Sequence, residues 1–258
     1  MNISLTNRVA LISGGAQGIG KGIALVLARC GSDVVICDIN EEGGQATADA
    51  VAKLGRRSLF VRADISRPDD VRGLMDRVHA ELGCMDILVN NAAIGFFRSI
   101  EETTIEEWDR TQAVDLKGLF LMTKFAMPLL RRSRHGIVVN ISSIHSLVTI
   151  PDLGAYAAAK GGIVAMTRSL AQDLGRDGVR AVCISPGFID SPMTQEWAES
   201  TPDPAETMKQ VVANHPVSRV GTPEDIGNLV AFVASDLGSY INGENILIDG
   251  GLATKLHH

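Results

Sequence analysis

Short runs of β-branched and aliphatic residues alternate along this chain with longer stretches of helical period. The runs are RVALIS (8–13), DVVICD (33–38), SLFVRAD (58–64), DILVNN (86–91), GIVVNIS (136–142), VRAVCIS (179–185) and NILIDG (245–250). Each is almost uninterrupted in apolar character, which is the pattern of strands covered on both faces. Seven such strands with helical stretches between them predict an α/β fold, a seven-stranded parallel sheet, doubly wound, with helices on both faces. No repeat, low-complexity segment or linker divides the 258 residues, so one domain over 1–258 is expected. The longest irregular stretch, 186–223, is rich in Pro, Ser, Thr and acidic residues around Met193, Trp197 and Met208. Loops of that length are uncommon unless functional, so a partly helical lid over a ligand site is expected at about 187–222.

Composition narrows the class. With 45% hydrophobic and 21% charged residues the chain is neither disordered nor fibrous, and 4% aromatics imply a largely aliphatic core. A net charge of -6 without clustered Lys and Arg leaves no surface for nucleic acid. No window is apolar enough to span a bilayer, and the N-terminus MNISLTNRVALISGG lacks the features of a signal peptide. The four cysteines (Cys30, Cys37, Cys84, Cys183) show neither C-x-x-C spacing nor neighbouring histidines, so buried thiols in a reducing cytoplasm are expected, with no metal site. The tail Lys255-Leu256-His257-His258 suggests no role.

Two constellations carry chemistry. Between the first strand and a helical segment lies Ser13-Gly14-Gly15-Ala16-Gln17-Gly18-Ile19-Gly20. Glycines there let the backbone approach a pyrophosphate, whose charge the following helix N-terminus stabilises, the arrangement of a Rossmann-type fold. Asp38, at the end of the second strand, can accept from the ribose hydroxyls of a dinucleotide and repel an added 2′-phosphate. Neither Ala16 nor Gln17 supplies a cation, so NAD is expected over NADP. The second constellation is Tyr156 and Lys160, in a chain with only two tyrosines. A helix over 155–174 places them one turn apart on one face, so the ammonium favours the phenolate and is expected to lower the phenol pKa towards neutrality. A phenol tuned in this way can exchange a proton with a substrate oxygen. Ser143, at a strand end, is placed to donate to the same oxygen.

Taken together, these residues resemble the short-chain dehydrogenase/reductase family over nearly the whole chain, 8–251. The family's glycine motif resembles Gly14, Gly18 and Gly20, with Gln17 and Ile19 between them. Its adenine-contacting Asp looks like Asp64, and its Asn-Asn-Ala-Gly matches Asn90-Asn91-Ala92 with Ala93 last. Its catalytic Ser, Tyr and Lys fall on Ser143, Tyr156 and Lys160, and its Pro-Gly on Pro186-Gly187. The resemblance implies that Asn91, Lys160, Pro186, Gly187 and Ser191 hold the cofactor, Lys160 through the nicotinamide ribose. It further implies that hydride passes between nicotinamide C4 and a carbinol carbon, and that the protein is a homotetramer pairing the helices around 105–131 and 155–174. Four positions depart from the pattern. Ser13 and Ser191 replace threonines and keep a hydroxyl, while Ala93 replaces glycine. Asp115 replaces the family's fourth catalytic residue, an Asn that helps hold a proton-relaying water. A carboxylate accepts but cannot donate there, and its charge opposes the effect of Lys160 on Tyr156.

His145, two residues after Ser143, borders the expected pocket and joins Ser143 and Tyr156 as a substrate-binding candidate. The stretch 142–162 is similar to bacterial glucose 1-dehydrogenases and related sugar or polyol dehydrogenases, and Gln195, Glu196 and Trp197 suit a hydroxylated substrate. A sugar or polyol dehydrogenase is therefore expected. The alternatives are a 3-oxoacyl thioester reductase and, in another class, a dinucleotide-binding sensor without turnover.

Overall fold

The protein is described by a computed structural model over residues 3–254; the tail 255–258 lies outside the described residues. Seven strands form one sheet: β1 (Val9–Ser13), β2 (Asp33–Asp38), β3 (Ser58–Arg62), β4 (Ile87–Asn90), β5 (Ile137–Ile141), β6 (Arg180–Pro186) and β7 (Asn245–Ile248). Their order is β3-β2-β1-β4-β5-β6-β7 and every pairing is parallel, as the apolar runs predict. The central strands are wholly buried because their two faces feed two separate cores. Ala10 and Ile12 of β1 pack with helices α1 (Gly18–Arg29) and α9 (Pro223–Ala234). Val9 and Leu11 face the other way, onto α3 (Pro68–Leu82) and α5 (Leu119–Leu130).

Two helical regions differ from a plain amphipathic reading. Between α4 (Ile105–Thr111) and α5 the chain widens into a π turn, Gln112–Gly118. Such turns are rare and concentrate at functional sites. The stretch 186–223 is largely ordered as α7 (Pro192–Glu199) and α8 (Pro204–Asn214). Its Pro, Ser and acidic content is start-of-helix chemistry. Ser191 caps α7 by accepting from Thr194 N–H, Asp203 caps α8 by accepting from Glu206 N–H, and a proline begins each helix. α6 (Gly154–Gly175) contains the expected helix 155–174. The chain winds in opposite directions from β1 and β4, so the loops leaving their carboxyl ends open a crevice, the usual ligand site of such sheets. Among the described residues no helix is long and apolar enough to cross a membrane.

Candidate active site

The crevice holds a cleft of about 1720 Å³ that opens to solvent and is lined by Gly14, Gln17, Gly18, Ile19, Asp38, Asp64, Asn91, Lys160 and Ser191. Gly14 takes a left-handed backbone (φ +67°), and a Cβ there would stand 2.7 Å from Ala92 Cα. Gly20 is buried beneath the loop rather than lining the cleft, and a Cβ on it would lie 2.0 Å from the Gly14 carbonyl oxygen. Gln17, the residue before α1, makes no side-chain cap, which leaves the helix's first N–H groups for an outside acceptor. Ser13 Oγ accepts from Asn91 and Ala92 N–H, while Asn91 Nδ2 donates to the Ser13 and Gly14 carbonyls at 3.0 Å. The loops after β1 and β4 are thus sewn together by the serine that replaces threonine. Ala93 has none of the left-handed backbone seen at Asn7, Asp152 and Ser218, so its methyl adds no strain. Asp38 accepts from Ala16 and Asn40 N–H at 3.0 Å, which fixes its carboxylate at the cleft wall. Arg110 lines the same cleft, but it donates to Asp64 and Ser66. Burial works to raise the Asp64 pKa, yet hydrogen bonds from Ser66 and Arg110 bring it below the usual range. This glycine cradle, open helix end and acceptor at the strand end fit a dinucleotide.

Tyr156 and Lys160 stand on α6 as expected, with Lys160 Nζ 5.1 Å from the centre of the phenol ring. Lys160 is 2% exposed and donates to the Ile141 carbonyl at 3.4 Å. Asp115, 1% exposed on the π turn, accepts from Ile94 N–H through Oδ1 at 2.9 Å. Its Oδ2 lies 3.5 Å from Lys160 Nζ. Burial pushes the Asp115 pKa up against the pull of Lys160. Burial works to lower that of Lys160, but Tyr156 and Asp115 outweigh it and the pKa rises. The expected fall of the Tyr156 pKa is not what the protein groups produce. Burial raises it, Lys160 lowers it, Asp115 raises it again and the Ser143 hydroxyl lowers it, and the balance is upward. A half-buried phenol beside an opposed pair of charges keeps its proton. Ser143 Oγ accepts from His145 N–H at 3.2 Å, leaving its own hydrogen free to donate.

Beside this cleft lies a second hollow, also open to solvent, of about 440 Å³ of space, lined by Ser143, His145, Tyr156, Gly187, Thr194 and the apolar Phe97, Ile150, Leu153, Phe188, Met193 and Trp197. Tyr156 and Met193 line both spaces. His145 meets Tyr156 edge-on at 6.1 Å between ring centres. The sequence reading missed Phe97, Ile150, Leu153 and Phe188, single apolar residues in loops or at turns, where no periodicity marks them. It also put too much on the lid. Gln195 is exposed and bonded to Asp190, Glu196 faces the larger cleft, and only Trp197 of the three joins the hollow. Gly187 lines the hollow and not the larger cleft, and Pro186 is buried at the end of β6 and lines neither. Cys37 and Cys183 are buried free thiols, whereas Cys30 and Cys84 are half-buried.

Comparison with known proteins agrees with this geometry. The family described as enoyl-(acyl carrier protein) reductase matches residues 14–253. A cyclohexanol dehydrogenase of Acinetobacter sp. (strain SE19) is 33% identical, over 99% of this chain and 98% of its own length. An L-fucose dehydrogenase of Oryctolagus cuniculus is 38% identical, over 95% and 84%. The crystal structure of levodione reductase aligns with a TM-score of 0.93 at 32% identity, covering 97% of this chain and 99% of that one. The chain belongs to the short-chain dehydrogenase/reductase family, oxidoreductases that act on CH–OH groups with nicotinamide dinucleotides.

Proposed function

We propose that this protein is an NAD-dependent dehydrogenase interconverting a compact secondary alcohol and its ketone in the smaller hollow. The observation that carries the reading is Tyr156, whose side chain borders both the dinucleotide cleft and the hollow. A carbinol in the hollow would have its oxygen at the phenol, and a dinucleotide held in the cleft would supply hydride exchange. Tyr156 gives or takes the proton of the carbinol oxygen, Ser143 donates to that oxygen, and Lys160 holds the ribose and steadies the phenol's charge. Asp115 sets the charge on Lys160. NAD is favoured over NADP because Asp38 lines the cleft where the ribose of a bound dinucleotide would lie, and Arg110, on the same cleft, is engaged by Asp64.

The six apolar or aromatic walls favour a ring with few hydroxyls, like the substrate named for the cyclohexanol dehydrogenase. A sugar or polyol is the second reading, supported by His145 and Thr194 in the hollow and by the L-fucose dehydrogenase relative. A 3-oxoacyl thioester reductase fits less well, since those enzymes usually take NADPH and Asp38 repels its 2′-phosphate. A sensor without turnover has no use for a Ser and a Tyr at one oxygen with a Lys beside the phenol. The cytoplasm and a homotetramer complete the proposal. Purified protein with NAD or NADP and a panel of cyclic alcohols, aldoses, polyols and hydroxy acids, followed by nicotinamide absorbance, tests it. Turnover with NAD that vanishes in Tyr156→Phe is expected; bound NADH without turnover across the panel would favour the sensor.

A further inference from the structure

Hydride transfer as proposed leaves His145 unused, although its ring lines the hollow beside the reacting groups. The residue sits in a short 3-10 turn, Ile144–Ser146, directly after Ser143. Its ring stands edge-on to Tyr156 and to Phe188, each 6.1 Å away between centres. Nδ1 is enclosed and has no hydrogen-bond partner among the described residues. A buried N–H without an acceptor is costlier and rarer than an acceptor without a donor, so Nδ1 carries the lone pair and Nε2 the proton. Burial drives the imidazole pKa down to about 4, and no carboxylate lines the hollow, so the ring is neutral at working pH. It can offer an N–H, but no charge, to whatever occupies the space.

We infer that His145 determines substrate specificity by donating from Nε2 to a second, uncharged oxygen on the same small ring as the reacting carbinol. Tyr156 and Ser143 hold the first oxygen and His145 the second, while Phe97, Ile150, Leu153, Phe188, Met193 and Trp197 cover the ring carbons. The substrate class is a cyclic diol or its hydroxyketone. A plain cyclic alcohol leaves the Nε2–H unpaired, and a carboxylate in that place would lose its water without gaining a counter-charge. The inference rests on the secondary-alcohol reading above.

The test uses the intact protein with NAD and four probes: cyclohexanol, 1,2- and 1,3-cyclohexanediol, and 2-hydroxycyclohexanecarboxylate. The readout is the ratio of kcat/KM for the better diol to that for cyclohexanol, about tenfold for one hydrogen bond that the diol makes and cyclohexanol cannot. The carboxylate should be the poorest of the four. His145→Phe keeps a flat ring but removes the donor and should bring the ratio close to one, and His145→Gln, which restores an N–H, should recover part of it. A wild-type ratio at or below one, or a ratio that survives His145→Phe, overturns the role of His145 alone. Absence of turnover with all four probes overturns the secondary-alcohol reading and the inference with it.

Discussion

Burial, and after it the opposed charges of Lys160 and Asp115, decide how firmly Tyr156 keeps its proton. The Asp115 carboxylate sits 3.5 Å from Lys160 Nζ in a site without water-like screening, and it acts on the phenol against the lysine. A phenol pKa raised in the folded protein means that Tyr156 is protonated at neutral pH, the form that can donate to a ketone oxygen. Alcohol oxidation needs the phenolate, so its rate should climb with pH through the alkaline range while ketone reduction falls there. Asp115→Asn removes the opposing charge and keeps an oxygen to accept from Ile94 N–H. The pKa of Tyr156 should drop, and the rising limb of kcat for oxidation should move to lower pH with turnover at neutral pH kept or increased. A pH profile of the variant checks this, and a large loss at every pH would give Asp115 a role of its own. The residue itself was legible in the sequence as a departure from the family's Asn. The net direction at Tyr156 was not, because spacing shows that a lysine is near but not that burial and Asp115 together outweigh it.

The strands were legible to within a residue or two, since a β-branched apolar run between polar ends has few other homes. The π turn was not. Gln112–Gly118 keeps an apolar pattern that an α-helix would also show, and the extra residue in the turn leaves no mark in the sequence. Its effect is to dock on α6 at three levels. Gln112 Nε2 donates to the Ala155 carbonyl at 2.9 Å, Asp115 faces Lys160, and Leu116 packs where Gly162 leaves room. A Cβ on Gly162 would lie 3.0 Å from Leu116 Cδ2. Gly162→Val should therefore push the π turn off α6, lower stability by about 1–3 kcal/mol and reduce kcat more than it raises KM. Thermal melts and steady-state kinetics measure both, and an unchanged kcat would show that the docking does not position Asp115. The start of α1 makes a parallel case. Because a Cβ on Gly20 would meet both the Gly14 carbonyl and Asn91 Nδ2, at 2.0 and 2.6 Å, Gly20→Ala must spread the loops after β1 and β4. NADH affinity, read by fluorescence titration, should fall at least about tenfold, the cost of displacing a backbone cradle from a pyrophosphate. Unchanged affinity would mean that the cradle forms differently.

At the scale of the molecule, the order β3-β2-β1-β4-β5-β6-β7 explains why residues as distant as Asp38, Asn91, Ser143 and Ser191 gather at one edge. Each follows or ends a parallel strand, and all the carboxyl ends point the same way. The same topology sets Asp115 and the Tyr156–Lys160 pair on the helices α4 to α6, which the family resemblance assigns to subunit contacts. An apolar run such as 116–130 suits a core and an interface equally well, and the structure divides it. Leu119, Leu121, Met122, Ala126, Leu129 and Leu130 are buried within the chain, which takes them out of any contact face. What α4 and α5 leave outside is Ile105 (76% exposed), Phe120 (46%) and Trp108 (37%), the large apolar groups of these helices free to meet a second copy. If these three form the face of the proposed tetramer, assembly presses on the π turn between α4 and α5 and thereby on Asp115. Phe120→Glu, at an exposed position where a charge costs the lone chain little, should then yield a smaller particle by light scattering. It should also lower the melting temperature in a concentration-dependent manner, because association stabilises only the folded form. Should the variant keep the wild-type mass, the exposed face serves another contact and the tetramer must be built elsewhere.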